Sequence, residues 1–153
     1  CALPICEATT LGVAAMHFVR TERGEASYAD SSLWHSGAWE ECVINGAAQA
    51  FCTRLPEVTH GRTLADIIAA QPAGEIRLAL DNYESPAALS QVAVPAGRAV
   101  VLAFGAERGW SPAERVLLRE NGFTFVHLGE RVLRTETACL AAITLIRAKL
   151  GLT

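Results

Sequence analysis

Two short loops hold the residues best suited to chemistry. One is Gly105-Ala106-Glu107-Arg108-Gly109-Trp110; the other runs Leu128-Gly129-Glu130-Arg131-Val132-Leu133-Arg134-Thr135-Glu136-Thr137. Each follows a strand-like run and precedes a helix-like one, and open α/β sheets bind ligands beyond the carboxyl ends of their strands. Glycines let a ligand approach the backbone closely, and a helix starting near Thr135 offers free N–H groups to an anion. Arg134 brings a planar fork of donors for carbonyl or phosphate oxygens, and the Glu136 carboxylate can accept a proton or hold an N–H group. Plainer roles compete with these. Arg134 can pair with Glu136 or Glu130 on the surface, and Glu136 can simply complement a helix dipole. Thr135 can be an N-cap, and Glu107 can orient its own loop. Neither loop is G-x-G-x-x-G or a Walker A sequence, so the common dinucleotide and P-loop motifs are excluded.

Strands and helices must alternate to position such loops, and the sequence predicts that they do. Ala14 to Val19, Arg77 to Asp81, Ala99 to Phe104 and Phe123 to Leu128 read as strands, the third a continuous apolar run suited to burial on both faces. Trp39 to Phe51 reads as a helix from the stripe Cys42, Val43, Ala47 and Ala50, and Pro86 to Gln91 as one short helix. Ser111-Pro112-Ala113-Glu114 is a capping box with Pro at the first helical position, and Asn121-Gly122 is its stop. Glu136 to Leu150 closes the chain as a helix, apolar at Cys139, Ala142, Ile143, Ile146 and Leu150. The pattern predicts one α/β domain over residues 1–153 with a mainly parallel sheet. Trp110 is expected to pack, and Leu102, Leu128 and Leu133 would be core in any such domain.

Composition sets the outer limits. The 153 residues are 51% hydrophobic, too apolar for disorder, yet no run approaches the ~18 residues of a membrane span. A net charge of −3 supplies no global attraction to nucleic acid, so such a partner requires a local patch, to which Arg20, Arg23 and Arg54 are candidates. Five cysteines (Cys1, Cys6, Cys42, Cys52 and Cys139) without a C-x-x-C pair, and four scattered histidines, argue against a zinc site. An odd cysteine count in a domain this large points to a reducing, cytoplasmic setting. The chain opens on Cys rather than Met and shows no signal peptide, so an upstream segment is expected to have been removed.

Order and spacing add a resemblance. A strand, G-x-E-x-G-W-S-P-x-E, a helix, G-F-x-x-x-x-L-G, then R-x-L-R-T-E-T-A entering the last helix, is similar to the catalytic domain of the RsmE-type small-subunit (16S) rRNA uridine-N3 methyltransferases of the knotted SPOUT superfamily. The match is strongest from Val100 to about Leu145. Weaker segments follow the family's order upstream: Ala8 to Val13, Thr21-Glu22-Arg23, and Trp39 through Gln49 to Val58. The resemblance implies a deep C-terminal trefoil knot, an exception to the rule against knots. It also implies a homodimer and S-adenosylmethionine bound in the knotted loops. The cofactor residues it suggests are Leu80, Leu102, Phe104, Gly105, Glu107, Gly109, Leu128, Gly129, Leu133, Thr135, Thr137 and Ala138. Arg134 and Glu136 would lie beside the methyl group as catalytic residues. Arg23, Gln49 and Arg54 would face substrate RNA, in small-subunit rRNA or an assembling subunit, with no metal and no membrane involved. The family's N-terminal PUA-like RNA-binding domain has no counterpart in this chain.

The sequence also departs from the family. Gly-Pro-Glu-Gly-Gly is here Gly105-Ala106-Glu107-Arg108-Gly109, and if the position of Arg108 needs a left-handed backbone, strain of about 1–2 kcal/mol follows. K-A-T-E-L-G becomes Glu7-Ala8-Thr9-Thr10-Leu11-Gly12, E-Q-x-x-R becomes Ala48-Gln49-Ala50-Phe51-Cys52, and Ala2-Leu3-Pro4 lacks the longer stretch that follows it in the family. Methyl transfer to uridine N3 needs an aligned nucleophile and a group that handles the N3 proton. The first expectation is thus an rRNA methyltransferase. The alternative is a catalytically degenerate RNA- or cofactor-binding module of the same fold, and a generic nucleotide-binding α/β protein ranks third.

Overall fold

The computed structural model describes residues 3–152, so Cys1 and Ala2, both singled out above, lie outside the described residues. Parallel pairing organises the chain. A four-stranded sheet has the order β4-β6-β3-β5, built from β3 (Ile76–Leu80), β4 (Ala87–Ala88), β5 (Val100–Phe104) and β6 (Thr124–His127). A second parallel pair joins β1 (Ala15–Arg20) to β2 (Glu57–Thr63), slipping register after Phe18 so that Gly61, at φ +79°, is left unpaired as a bulge. The expected parallel α/β architecture is found.

Period-two alternation divides the core into two faces. Ala79 and Phe125 point to one side, where α5 (Leu64–Ala70) and α6 (Pro112–Glu120) supply Leu64, Ile68 and Leu118 around buried Trp110. Leu78 and Val126 point to the other, against Ala142 and Ile146 of α7 (Thr135–Lys149) and Leu89. The capping box before α6 forms as expected: Ser111 Oγ accepts from the Glu114 N–H at 3.1 Å, and Glu114 Oε2 accepts from the Ser111 N–H at 2.8 Å.

Several elements differ from expectation. The stretch Pro86 to Gln91 is not one helix: Ala87–Ala88 extends to pair with Val126 and His127, and only Leu89–Gln91 turns as a 3₁₀ helix. The free edge of β6 decides this, because backbone pairing there outweighs the weak helical preference of six residues. The helix expected over Trp39 to Phe51 is α4 (Ala38–Gln49), which ends before Phe51, the only non-glycine described residue with positive φ. The sequence did not suggest α1 (Leu3–Thr10), the single-turn α2 (Ala26–Ala29) and α3 (Ser32–His35), β2 or α5.

Helix α1 packs on α4 at very close range. Thr10 Oγ1 donates to the Gly46 carbonyl at 3.1 Å, and a Cβ placed on Gly46 would overlap the Cys6 carbonyl oxygen and lie 2.9 Å from Thr9 Cβ. Because backbone rather than a flexible side chain blocks that space, Gly46→Ala is expected to destabilise the protein by about 2–3 kcal/mol, read as a lower urea midpoint.

Candidate functional site

Strand β3 lies between β5 and β6, so the loops leaving these three parallel strands emerge side by side at their carboxyl ends. They enclose a cleft of about 510 Å³, within the range of small-molecule sites. Strand ends contribute Leu80, Phe104 and Leu128; the loop after β5 contributes Gly105, Ala106, Glu107, Gly109 and Trp110. Val132, Leu133, Arg134, Thr135, Glu136 and Ala138 come from the last loop and the first turn of α7.

The loop after β5 is tight because its backbone doubles back. The Gly109 N–H donates to the Ala106 carbonyl at 2.7 Å, and a Cβ on Gly105 would sit 3.1 Å from the Gly109 carbonyl carbon. Gly109 takes the left-handed position at φ +70°, and Arg108 does not. The strain anticipated at Arg108 is therefore absent: the turn places its one unfavourable backbone angle on a glycine. Trp110, 1% exposed, fastens this loop to the neighbouring strand by donating Nε1–H to the Leu80 carbonyl at 3.0 Å.

The N-terminus of α7 opens on the cleft. Its N-cap is Arg134, not Thr135, in extended conformation (φ −62°, ψ 150°), and no side chain caps the helix. Thr135 fails as a cap because it already has helical geometry as the first residue of the turn. The partial positive charge of an uncapped terminus favours an anionic group. Ion pairs among the described residues join Arg20 to Asp30, Arg115 to Asp81 and Glu84, and Arg119 to Glu84. Arg134 and Glu136 thus reach the cleft unpaired, and the surface pairing weighed for them is not found. Cys139, one residue beyond Ala138, is no nucleophile: burial, then Glu136, push its thiol up to about 12.

Of the other anticipated cofactor residues, Leu102 packs in the core, and Gly129 and Thr137 do not line the cleft. Arg23 is occupied on the outside of the cleft loop, donating Nη1–H to the Arg108 carbonyl at 3.2 Å. Beside it the Glu22 N–H donates to Glu114 Oε1 at 2.8 Å. The 21–30 segment rests along this loop, with the Cβ position of Gly24 3.9 Å from Ala106 Cβ, and the charge on Glu107 raises the Tyr28 phenol above its ordinary value. Arg20 is held by Asp30, and exposed Gln49 and Arg54 lie outside the cleft lining, so the three arginines form no single patch there.

Sequence reasoning missed the wall supplied by the loop after β3, where Asp81, Asn82 and Tyr83 line the cleft. The available signal was an Asp closing an apolar strand, a frequent turn former. Asp81 Oδ2 accepts from Arg115 Nε at 2.6 Å, and its Oδ1 from the Tyr83 and Glu84 N–H groups at 2.6 and 3.1 Å. Burial alone would push this carboxyl up; the Arg115 and backbone hydrogen bonds outweigh it and hold the group below the ordinary value. A depressed folded-state pKa gives stability that is present above the unfolded value of about 3.9 and lost as pH falls through the folded one. Thermal melts from pH 6 to pH 2 should therefore fall more steeply for the native protein than for Asp81→Asn.

Comparison with known proteins places these features in context. Residues 3–147 match the model of the RNA methyltransferase domain family. The ribosomal RNA small subunit methyltransferase E of Treponema pallidum (strain Nichols) is 35% identical over 93% of this chain and 55% of its own length. Ribosomal RNA small subunit methyltransferase E 1 of Borreliella burgdorferi is 28% identical over 95% and 61%. A crystal structure of a ribosomal RNA small subunit methyltransferase E from Neisseria gonorrhoeae bound to S-adenosyl methionine superposes with TM-score 0.82 at 29% identity, covering 96% of this chain and 60% of that one. The chain spans about 55–61% of the length of these relatives.

Proposed function

The chain belongs to the RNA methyltransferase domain family, and from that premise we propose that it acts as a ribosomal RNA small subunit methyltransferase E, transferring a methyl group from S-adenosylmethionine to N3 of a uridine in small-subunit rRNA. The observation behind this is the convergence of three strand-end loops on one cleft, with an unpaired arginine and an unpaired carboxylate at an uncapped helix terminus.

The cleft fits the cofactor by its donor set. Leu80, Leu128 and Leu133 offer apolar contact to a base, the open α7 terminus suits a carboxylate, and Glu107 and Glu136 suit a cation or sugar hydroxyls. The cofactor supplies an activated methyl on a sulfonium. The protein's work is to align that carbon with the uridine nitrogen at about 3–3.5 Å and to exclude water. Arg134, whose side chain forms no ion pair among the described residues, stabilises the negative charge that uridine acquires as N3 loses its proton. Glu136, at the same turn, accepts that proton or orients the base.

Sequence departures that favour a degenerate module leave Arg134 and Glu136 at the cleft untouched, although Ala106 itself lines it. The loop around Arg108 adopts an unstrained turn, Thr10 serves the α1–α4 contact, and Ala48 and Cys52 are exposed outside the cleft lining. The proposal extends to the chain path and the assembly. Insertion of β6 between β4 and β3 after both flanking strands are laid down supports a trefoil knot. Val132, 74% exposed, and Leu145 on α7 support a homodimer that covers them in the cytoplasm.

Calorimetric titration with S-adenosylmethionine, S-adenosylhomocysteine and ATP tests the reading. Saturable binding of the first two but not ATP supports it. Binding of none, or of ATP equally, overturns it.

A further inference from the structure

Resting on that cofactor reading, we propose that Tyr83 is a ligand-contacting ring on the wall of the cleft formed by the loop after β3, and that Asp81, acting with Arg115, is the positioning residue that holds it there. The residue is 77% exposed and lines the cleft, and its ring reaches the loop after β5, where Cε2 lies 3.9 Å from the position a Cβ on Gly109 would take. Large exposed aromatics on a cleft rim offer a free π-face, suited to a flat heteroaromatic group such as a nucleoside base.

The backbone beneath this ring is fixed far more firmly than an exposed loop needs. The Asp81 side chain, 1% exposed, accepts the N–H groups of Tyr83 and Glu84 with one oxygen and Arg115 Nε with the other. Ser85 Oγ donates back to the Asp81 carbonyl, and Glu84 is held in turn by Arg119 and, at 3.6 Å, by Arg115. Residues 81–85 are thereby tied to α6, the helix that begins where the loop after β5 ends. Burying Asp81 and Arg115 costs desolvation that an apolar contact would avoid, so what the pair contributes is geometry. Two walls of the cleft are set relative to one another, with the Tyr83 ring against Gly109 at their meeting point.

The test is calorimetric titration of S-adenosylhomocysteine into the unsubstituted protein and into Tyr83→Ala, Tyr83→Phe, Asp81→Ala and the Tyr83→Ala/Asp81→Ala double variant. Tyr83→Ala should weaken binding about tenfold and Tyr83→Phe by less than about twofold, since the ring rather than the hydroxyl makes the contact. Asp81→Ala should weaken binding in the native background and add nothing when Tyr83 is already Ala, a coupling that general loss of stability would not produce. Equal affinity of Tyr83→Ala and the unsubstituted protein overturns the contact. An equal Asp81→Ala loss in both backgrounds overturns the positioning role. If Asp81→Ala does not fold, the Ala and Phe variants of Tyr83 decide the contact alone. Failure of the unsubstituted protein to bind is the separate result that removes the cofactor reading itself.

Discussion

Arg134→Ala is expected to lower kcat for rRNA methylation about 10²–10³-fold while changing affinity for S-adenosylhomocysteine by less than about threefold. The split follows from where the guanidinium stands. Arg134 is exposed at the rim of the cleft, caps α7 only through its backbone, and forms no ion pair among the described residues. Removing its side chain therefore leaves no buried charge unpaired and no core contact broken. On the proposed mechanism, what is lost is a set of donors for the charge that develops on the base as the N3 proton leaves. Arg134→Lys should recover only part of the rate, because an ammonium cannot reproduce the planar fork. The measurement is single-turnover methylation at saturating cofactor beside calorimetry on the same preparations. A matching loss of affinity and rate would instead make Arg134 a cofactor ligand.

Trp110→Ala is expected to cost about 3–5 kcal/mol of folding stability. The indole is 1% exposed within the cluster of Leu64, Ile68, Ala79, Leu118, Phe123 and Phe125, where two helices and two strands meet. Its removal leaves a cavity that the rigid parallel sheet cannot collapse to fill, and leaves the Leu80 carbonyl without its Nε1–H donor. Trp110→Phe should separate the two contributions: most of the packing returns, while the lost hydrogen bond costs about 1 kcal/mol. Equilibrium urea unfolding of all three proteins measures both. Because Leu80 and Trp110 both line the cleft, Trp110→Phe should also show a smaller rise in melting temperature on addition of S-adenosylhomocysteine.

How legible each element was depends on how local its cause is. Ser111 and Glu114 cap one another three residues apart, and the Val100–Phe104 strand is an unbroken apolar run, so both could be read directly. Thr63 and Asp66 form the same reciprocal cap before α5 and went unread, because the preceding strand β2, Glu-Val-Thr-His-Gly-Arg-Thr, carries no apolar alternation to mark where a helix would begin. Helix α1 escaped for the opposite reason. It packs against both α4 and α7, so its apolar residues are not confined to one stripe. Of the residues the family resemblance suggested, Leu80, Phe104, Gly105, Glu107, Gly109, Leu128, Leu133, Thr135, Ala138, Arg134 and Glu136 line one cleft.

By itself the sequence determined the alternation of strands and helices, the two glycine-bearing loops and the motif order that marks the family. These depend on neighbours a few residues apart or on the bare succession of residue types. Only the tertiary structure decided that the loop after β3 forms a further wall, that Arg134 is unpaired among the described residues while Arg23 is bound to a backbone carbonyl, and that Arg108 bears no strain. Each of those outcomes turns on groups brought together from distant parts of the chain: Asp81 meets Arg115 across 34 residues and Arg23 meets Arg108 across 85. Charge pairing and loop closure are settled by distance in space, and the succession of residues specifies that distance only once the sheet has set its strand order.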